Sequence, residues 1–507
     1  MRYEKIIWIV IFIIGFGVRS TNVFHPIDTG TWRENDESSI ARNYYRNGMD
    51  FLHPQIDWGG NGPGYVESEF PVYPYLMALS YKLFGFWEPT GRIISFLLSL
   101  GTLLIFFRLS RYLFNKKTAI AASCFFALSP LLTIICNSIQ PESLMFFFYI
   151  FAGYSFIRWI DSESKKYYLL TFIFTALTLL CKITAINIGI LFTLVILIKK
   201  GWRFAFKPKV ILLALLTVIP SLLWYPYCHK FYILYGNSLG LANQYPWVGW
   251  NFFTDPYFIT GIIKQELVHI WTYAGPAILI LGLVSTKMIK RQYIIFPVCW
   301  LAAAVIFYII AARTTADAWA SYYHIFSIPS VSMLLGISVI EIYDKYFPKT
   351  DLNSKPFVFI SNFLKSSFIN IIMFLFVSFY IAYSFRYLII TNKPSHYKTS
   401  GYYECKDRLA EIIPGGSLIL ASGGRKLDGK YPTAYNSSYF FYWLDRRGYN
   451  ISLEDQTIEN VLAFKEKGAE YFIAEIGAMN TKPGFEDLMR KRFKAEFESN
   501  GIILFKL

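Results

Sequence analysis

About eleven apolar runs alternate along this chain with loops whose Lys and Arg residues gather in every second gap, and that alternation leaves few folds open. The runs lie at residues 6–18, 92–107, 118–136, 143–157, 168–181, 183–198, 210–224, 271–286, 293–312, 323–342 and 367–390. Arg108, Arg111, Lys116 and Lys117 follow the second run, Lys165 and Lys166 the fourth, and Lys199, Lys200, Arg203, Lys207 and Lys209 the sixth. Lys287, Lys290 and Arg291 follow the eighth, and Lys345, Lys349, Lys355 and Lys365 the tenth. Basic loops stay on the cytoplasmic side, so this spacing puts the N-terminus inside and the C-terminus outside. The chain is 54% hydrophobic and only 16% charged, against roughly 25% charged residues in a soluble domain. It reads as an integral membrane protein. A net charge of +15 would suggest nucleic acid in a soluble chain; here the cations mark topology, and no nucleic-acid partner is expected. Cys124, Cys136, Cys181 and Cys299 sit in or beside apolar runs without metal-ligand spacing and read as packing residues.

Arg2 and Lys5 before the run from Ile6 to Val18 resemble a secretory signal, but Arg19-Ser-Thr-Asn-Val-Phe lacks small-residue cleavage chemistry, so an uncleaved first span is expected. Residues 168–198 read either as one long span or as two short ones meeting at Lys182. One span would carry Lys199 to Lys209 outside and break the alternation downstream, so two helices are expected, joined at Cys181-Lys182-Ile183-Thr184 near the outer surface. A lysine there either snorkels to the interface or meets an anion such as a lipid phosphate.

The long outer loop, residues 19–88, is acidic, and long loops carry function. In Thr31-Trp-Arg-Glu-Asn-Asp-Glu-Ser-Ser-Ile-Ala-Arg, Ile40, Tyr44 and Tyr45 recur at helical spacing, so Asp36 and Glu37 open a short amphipathic helix. They serve there as a helix cap or as a reactive pair. Glu69-Phe-Pro-Val-Tyr-Pro-Tyr starts a Pro-initiated helix ended by Gly85, with the length and prolines of an interfacial segment. Gln140-Pro-Glu-Ser places Glu142 at a helix start close to the membrane surface, as a cap or as an acid with a chemical role. A second outer loop, 225–270, carries Tyr245, Trp247 and Trp250, which suit an interfacial belt or sugar stacking.

From residue 393 to 507 the pattern becomes that of a small α/β domain: Ser417 to Ala421, Ala469 to Ala474 and Ile502 to Leu507 read as strands, and Ile458 to Lys467 as a helix. Gly423-Gly424 lacks a phosphate-loop lysine and reads as a turn. The domain boundaries expected are thus 1–392 in the membrane and 393–507 outside it.

The order of these features resembles the GT-C glycosyltransferases: an acidic motif after the first span, Glu69-Phe-Pro-Val-Tyr-Pro, Pro141-Glu-Ser, and Lys182-Ile-Thr-Ala between spans five and six. Within them it is most similar to the bacterial branch related to protein O-mannosyltransferases and lipid A aminoarabinose transferases, over the membrane region to about residue 345. The fold implied is an α-helical polytopic membrane protein of GT-C type, with interfacial helices in the first outer loop and an appended extracytoplasmic α/β domain. The resemblance implies inverting transfer of a sugar from a polyprenyl-phosphate carrier to a glycan, lipid or protein acceptor on the outer face. It makes Asp36 the general base and Glu142 a second acid, with Glu37 in support. Lys182 lies where a phosphate-facing lysine is reasonable, and Glu69 matches the acid before the interfacial helix. Aminoarabinose transferases place a lysine directly after that acid; Phe70 and Pro71 stand here instead, leaving Arg42 or Arg313 as substitutes. Tyr323, followed by His324, fits a family tyrosine near the donor phosphate, and an aromatic belt accounts for it equally.

The cytoplasmic loops show no DxD signature for a nucleotide sugar, and no His/Asp cluster demands a metal, so a lipid-linked donor and a metal-independent mechanism are expected. A transporter or flippase of lipid-linked sugars is the main rival, but repeated halves are missing and the acids gather on one face. A ligase or polymerase using diphosphate-linked glycans is the other.

Overall fold

The computed structural model describes residues 2–28, 31–241, 253–290, 292–311, 315–346, 356–391, 401–428 and 431–507. All the apolar runs are helical in whole or in large part. Six helices are long and apolar enough to cross a membrane: Thr90–Leu113, Glu142–Ser162, Ile183–Lys200, Pro208–Tyr235, Gln292–Ile310 and Phe368–Thr391. Two further pairs pass the same test as bent spans, Pro256–Trp271 with Gly275–Ser285 at 83° and Ala318–Phe326 with Ile328–Tyr346 at 64°. The chain is a multi-pass membrane protein. Among the described residues the count of long spans is therefore six to eight, against the eleven expected. Of the remaining runs, the first helix, Arg2–Ser20, is counted over the shorter apolar stretch Trp8–Ser20, Lys116–Ala127 with Pro130–Ile135 is broken, and Lys165–Cys181 is shorter.

Small residues let these helices approach closely, as bilayer packing without a strong hydrophobic drive requires. A side chain on Gly336 would lie 2.5 Å from the Ala122 backbone, and one on Gly153 would lie 2.8 Å from the Trp300 ring. Phe156 stacks on Phe192 at 3.8 Å between ring centres. The helix Pro208–Tyr235 runs eleven residues beyond the span expected to end at Trp224. Pro220 and Pro226 lie inside it, and prolines are tolerated in membrane helices because neighbours satisfy the freed backbone groups. The expected outer loop thus begins as helix, and Tyr245, Trp247 and Trp250 lie outside the described residues.

In the first outer loop the helix Trp32–Arg46 is buried along most of its length, Glu34, Asp36, Glu37 and Arg42 included. Thr31 precedes it and Asp36 lies a full turn inside, so Asp36 is no cap. The Pro-initiated helix spans Val72–Phe84 and ends at Gly85, whose φ of 85° suits glycine.

The C-terminal domain holds seven strands: β1 Leu418–Ser422, β2 Leu427–Asp428, β3 Tyr431–Pro432, β4 Arg447–Ile451, β5 Ala469–Glu475, β6 Lys494–Ser499 and β7 Ile502–Lys506. Five form one sheet in the order β4-β1-β5-β7-β6, with β2 and β3 as a separate ribbon. β1 runs parallel to β4 and β5, while β7 is antiparallel to β5 and β6. Residues of the first loop cap the β4 edge of this sheet at one point: Gly60 N–H donates to Gly448 O at 2.6 Å, and Gly448 N–H to Asp57 O at 3.1 Å. Beside that edge the ring of Tyr449 would overlap any side chain on Gly60.

Candidate active site

Lys165–Cys181 stops at Lys182, which is fully extended at φ −161°, ψ 112°, before the chain turns into Ile183–Ile186. The break costs backbone hydrogen bonds, and neighbours replace them: Phe70 N–H donates to Leu180 O at 3.2 Å, and the Tyr225 hydroxyl accepts from Ile183 N–H at 3.2 Å. Irregular backbone at membrane depth persists only where protein or a cavity surrounds it. Here there is a cavity of about 1020 Å³, lined by Trp32, Arg33, Glu67, Glu69, Lys182 and Tyr322 among others, with Leu222, Tyr225 and Pro226 on an apolar wall.

Two buried ion pairs furnish its polar end. The Lys182 ammonium pairs with Glu142 and lies 4.6 Å from the centre of the Tyr322 ring and 5.6 Å from that of Tyr323. Arg33 Nη1 donates to Glu69 Oε2 at 3.0 Å and lies 4.0 Å from Glu37 Oε1. Glu142 Oε2 has no hydrogen-bond partner among the described residues. Two cations, each paired with a carboxylate, thus face a space that Glu67 and Glu69 also line and whose remaining walls are largely aromatic and aliphatic, an arrangement that can take a polar headgroup on an apolar tail.

Asp36, Glu37 and Glu142 stand behind that lining. Asp36 is 1% exposed and accepts from Trp58 Nε1–H at 2.9 Å. Burial pushes its carboxyl up from the usual range to about 7, against the opposing pull of the Trp58 hydrogen bond and Arg33. Burial pushes Glu37 up to about 8, again opposed by Arg33. A carboxylate poised near neutrality is matched to proton abstraction. Glu34 is committed elsewhere, accepting from Arg92 at 2.8 and 3.1 Å and from Ile139 N–H at 2.9 Å.

Not every expected residue converges here. Arg42 faces the C-terminal domain: its guanidinium donates to Asp57 at 2.7 Å and to Tyr442 O at 2.9 Å, and lies 3.2 Å from Asp445. It does not replace the missing lysine. Arg33, one helical turn before Asp36, lines the cavity instead; the sequence reading passed over it because Trp32 and Glu34 beside it carry no motif. Arg313 lies outside the described residues. His324 is fully buried, with Nδ1 2.7 Å from Glu266 and Nε2 2.8 Å from Thr315 O, so it braces the segment bearing Tyr322 and Tyr323. Glu67 and His229, both at the cavity, form a 2.7 Å contact that sequence reasoning missed. They are 162 residues apart, and no local pattern joins them.

Residues 67–224 match the family model described as dolichyl-phosphate-mannose-protein mannosyltransferase. That stretch holds Glu69, Glu142 and Lys182 and stops short of Asp36. Over 99% of this chain and 97% of theirs, the coordinates superpose with a TM-score of 0.62 and 11% identity on ArnT from Cupriavidus metallidurans bound to undecaprenyl phosphate. The chain has the GT-C glycosyltransferase fold. The oligosaccharyltransferase of Archaeoglobus fulgidus tethered to an acceptor peptide is also similar, with a TM-score of 0.57 and 13% identity over 99% of this chain and 74% of that one. A third similar structure is archaeal AglB from the same organism with an inhibitory peptide and dolichol-phosphate, at TM-score 0.52, 11% identity and the same coverages. No curated protein sequence matches the chain.

Proposed function

We propose that the chain is an inverting glycosyltransferase that moves a sugar from a polyprenyl-phosphate carrier to an acceptor hydroxyl on the outer face of the cytoplasmic membrane. The observation that carries this reading is the cavity itself, where Lys182 and Arg33 meet an apolar wall at a broken helix. Lys182 and Arg33 hold the phosphate, and Glu142 and Glu69 fix the two cations in place. The acceptor oxygen attacks the anomeric carbon and gives its proton to Asp36. As the new bond forms, the bond from that carbon to the phosphate oxygen breaks, and the electron pair leaves on the polyprenyl phosphate. The cations stabilise the charge that develops there. Undecaprenyl phosphate bound to ArnT and dolichol-phosphate bound to AglB support the donor class.

Purified protein supplied with a radiolabelled polyprenyl-phosphate sugar tests the proposal. Asp36→Asn is expected to lower transfer about a hundred- to ten-thousandfold while the protein stays folded. Carrier translocation that survives Asp36→Asn, with no sugar transfer detected in the wild type, would overturn it.

A further inference from the structure

A second cleft, about 480 Å³ in volume, opens where the first loop, the end of the helix Pro208–Tyr235 and the C-terminal domain meet. Its size falls within the roughly 300–1,000 Å³ of small-molecule sites. Trp58, Tyr232, Tyr235 and Tyr449 supply aromatic surface, and Asn237 and Asn450 supply amides. Lys467 is its sole charged lining residue among those described, and its ammonium lies over the Phe464 ring at 5.1 Å.

Three observations say what enters. Asn450 is 8% exposed and spends its Oδ1 on Ser437 N–H at 3.1 Å, while its Nδ2 donor has no partner among the described residues. A buried amide donor left unpaired costs free energy until a ligand acceptor meets it. Tyr232 and Tyr235 are 40% and 43% exposed at a helix end, and rings of that kind stack on the C–H faces of sugars. The β4 edge bordering the cleft is covered at Gly448 by Asp57 and Gly60 of the first loop, which obstructs the strand addition by which extended peptides dock.

The cleft and the cavity share a wall. Thr433 and Ala434 line both, and Trp58 presents its ring to the cleft while its Nε1–H holds Asp36. We infer that this cleft is the acceptor subsite and that the acceptor is a neutral saccharide, held by the C-terminal domain with a hydroxyl directed toward Asp36. This rests on the transferase reading above.

The test uses full-length protein in detergent and saturation-transfer NMR with a panel of methyl disaccharides of mannose, glucose, galactose and N-acetylglucosamine, beside a Ser/Thr hexapeptide. At least one disaccharide is expected to bind and the hexapeptide not to. Asn450→Asp keeps the acceptor for Ser437 and removes the donor, and Tyr235→Ala trims a side chain at the surface; each is expected to weaken saccharide binding about tenfold, one hydrogen bond or stacking contact in a buried site. Undecaprenyl phosphate binding should stay at the wild-type level in both. Absence of any disaccharide binding, binding unchanged in both variants, or hexapeptide binding that displaces saccharide would each overturn the inference. Saccharide binding that weakens as expected in a protein showing no transfer would leave the cleft assigned and remove the transferase reading instead.

Discussion

The helix Trp32–Arg46 carries buried charge in two directions, and the two clusters differ in what they face. Each keeps one buried atom unpaired among the described residues, Arg42 Nε in one and Glu142 Oε2 in the other, but only one of them borders a cavity. Toward the C-terminal domain, Arg42 meets Asp57, Asp445 and a backbone carbonyl, while Asp57 also accepts from Ser39 at 2.7 Å and Asn43 at 2.8 Å. Toward the membrane, Arg33 and Lys182 meet Glu69, Glu37 and Glu142 beside an open volume, and Glu142 Oε2 is left unpaired. Similar residue types thus do different work. A network held between the first loop and the C-terminal domain fixes one geometry, whereas one beside a cavity leaves charge within reach of a ligand. Buried ion pairs alone are weak evidence for stability, so the contrast must be measured rather than assumed.

The largest effect expected is on turnover. Lys182→Ala should reduce sugar transfer about a hundred- to a thousandfold, the scale of losing one preorganised charge at a developing anion. It should lower the affinity for undecaprenyl phosphate as well, measurable by titration. A variant with normal transfer would break the distinction between the clusters. Next comes Arg42→Ala, which strands Asp57 and is expected to cost about 3–5 kcal/mol of stability, read as earlier thermal unfolding of the detergent-solubilised protein. Residual folded protein should retain donor binding, which separates it from Lys182→Ala.

A smaller effect is the pH profile. Asp36 works as a base only when ionised, so turnover should rise as pH passes through about 7 and level off above it. Stability runs the other way. Between the ordinary value near 3.8 and about 7 the folded protein keeps a proton that the unfolded chain has lost, so stability falls as pH rises through that window. Asp36→Asn should remove this part of the slope, and Glu37, raised to about 8, should retain its own. Smallest of all is Asp445→Asn. That carboxylate is 45% exposed in its pairs with Arg42 and Arg46, and its loss should cost about 1 kcal/mol or less.

The regular parts of the fold were legible because they rest on short-range patterns. Apolar runs gave the helices, the parity of the basic loops located the break at Lys182, and short apolar runs between turns gave β1, β5 and β7. Helix limits were less legible where Pro226 reads as a stop in water and is tolerated in a packed span. Strand β4 escaped notice because Arg447-Gly-Tyr-Asn-Ile lacks an apolar run; parallel pairing with β1 defines it instead. At the site, Lys182 and Glu142 were found from the strangeness of charge in apolar surroundings, and the structure joins them. Arg33 and Arg42 could not be ranked, since they sit on one helix and only the fold reveals which one turns toward the cavity. The Glu67 and His229 contact, like the cleft around Asn450, depends on residues far apart in the chain.

The pairing of Gly60 with Gly448 also has a bearing on synthesis. The first loop leaves the ribosome long before β4 exists, and Arg447 meets Gly62 across 385 residues of sequence. Until the helix Ser438–Leu444 is made, the helix bearing Asp36 lacks the contacts of Arg42 with Tyr442 O and of Trp32 O with Ser438, and Trp443 cannot donate to Ile27 O, 416 residues away. Domains fold as they emerge, with the N-terminal parts first. The membrane helices are thus made long before the segment that covers the outer side of the acidic helix, which receives that cover only once the C-terminal domain has been synthesised.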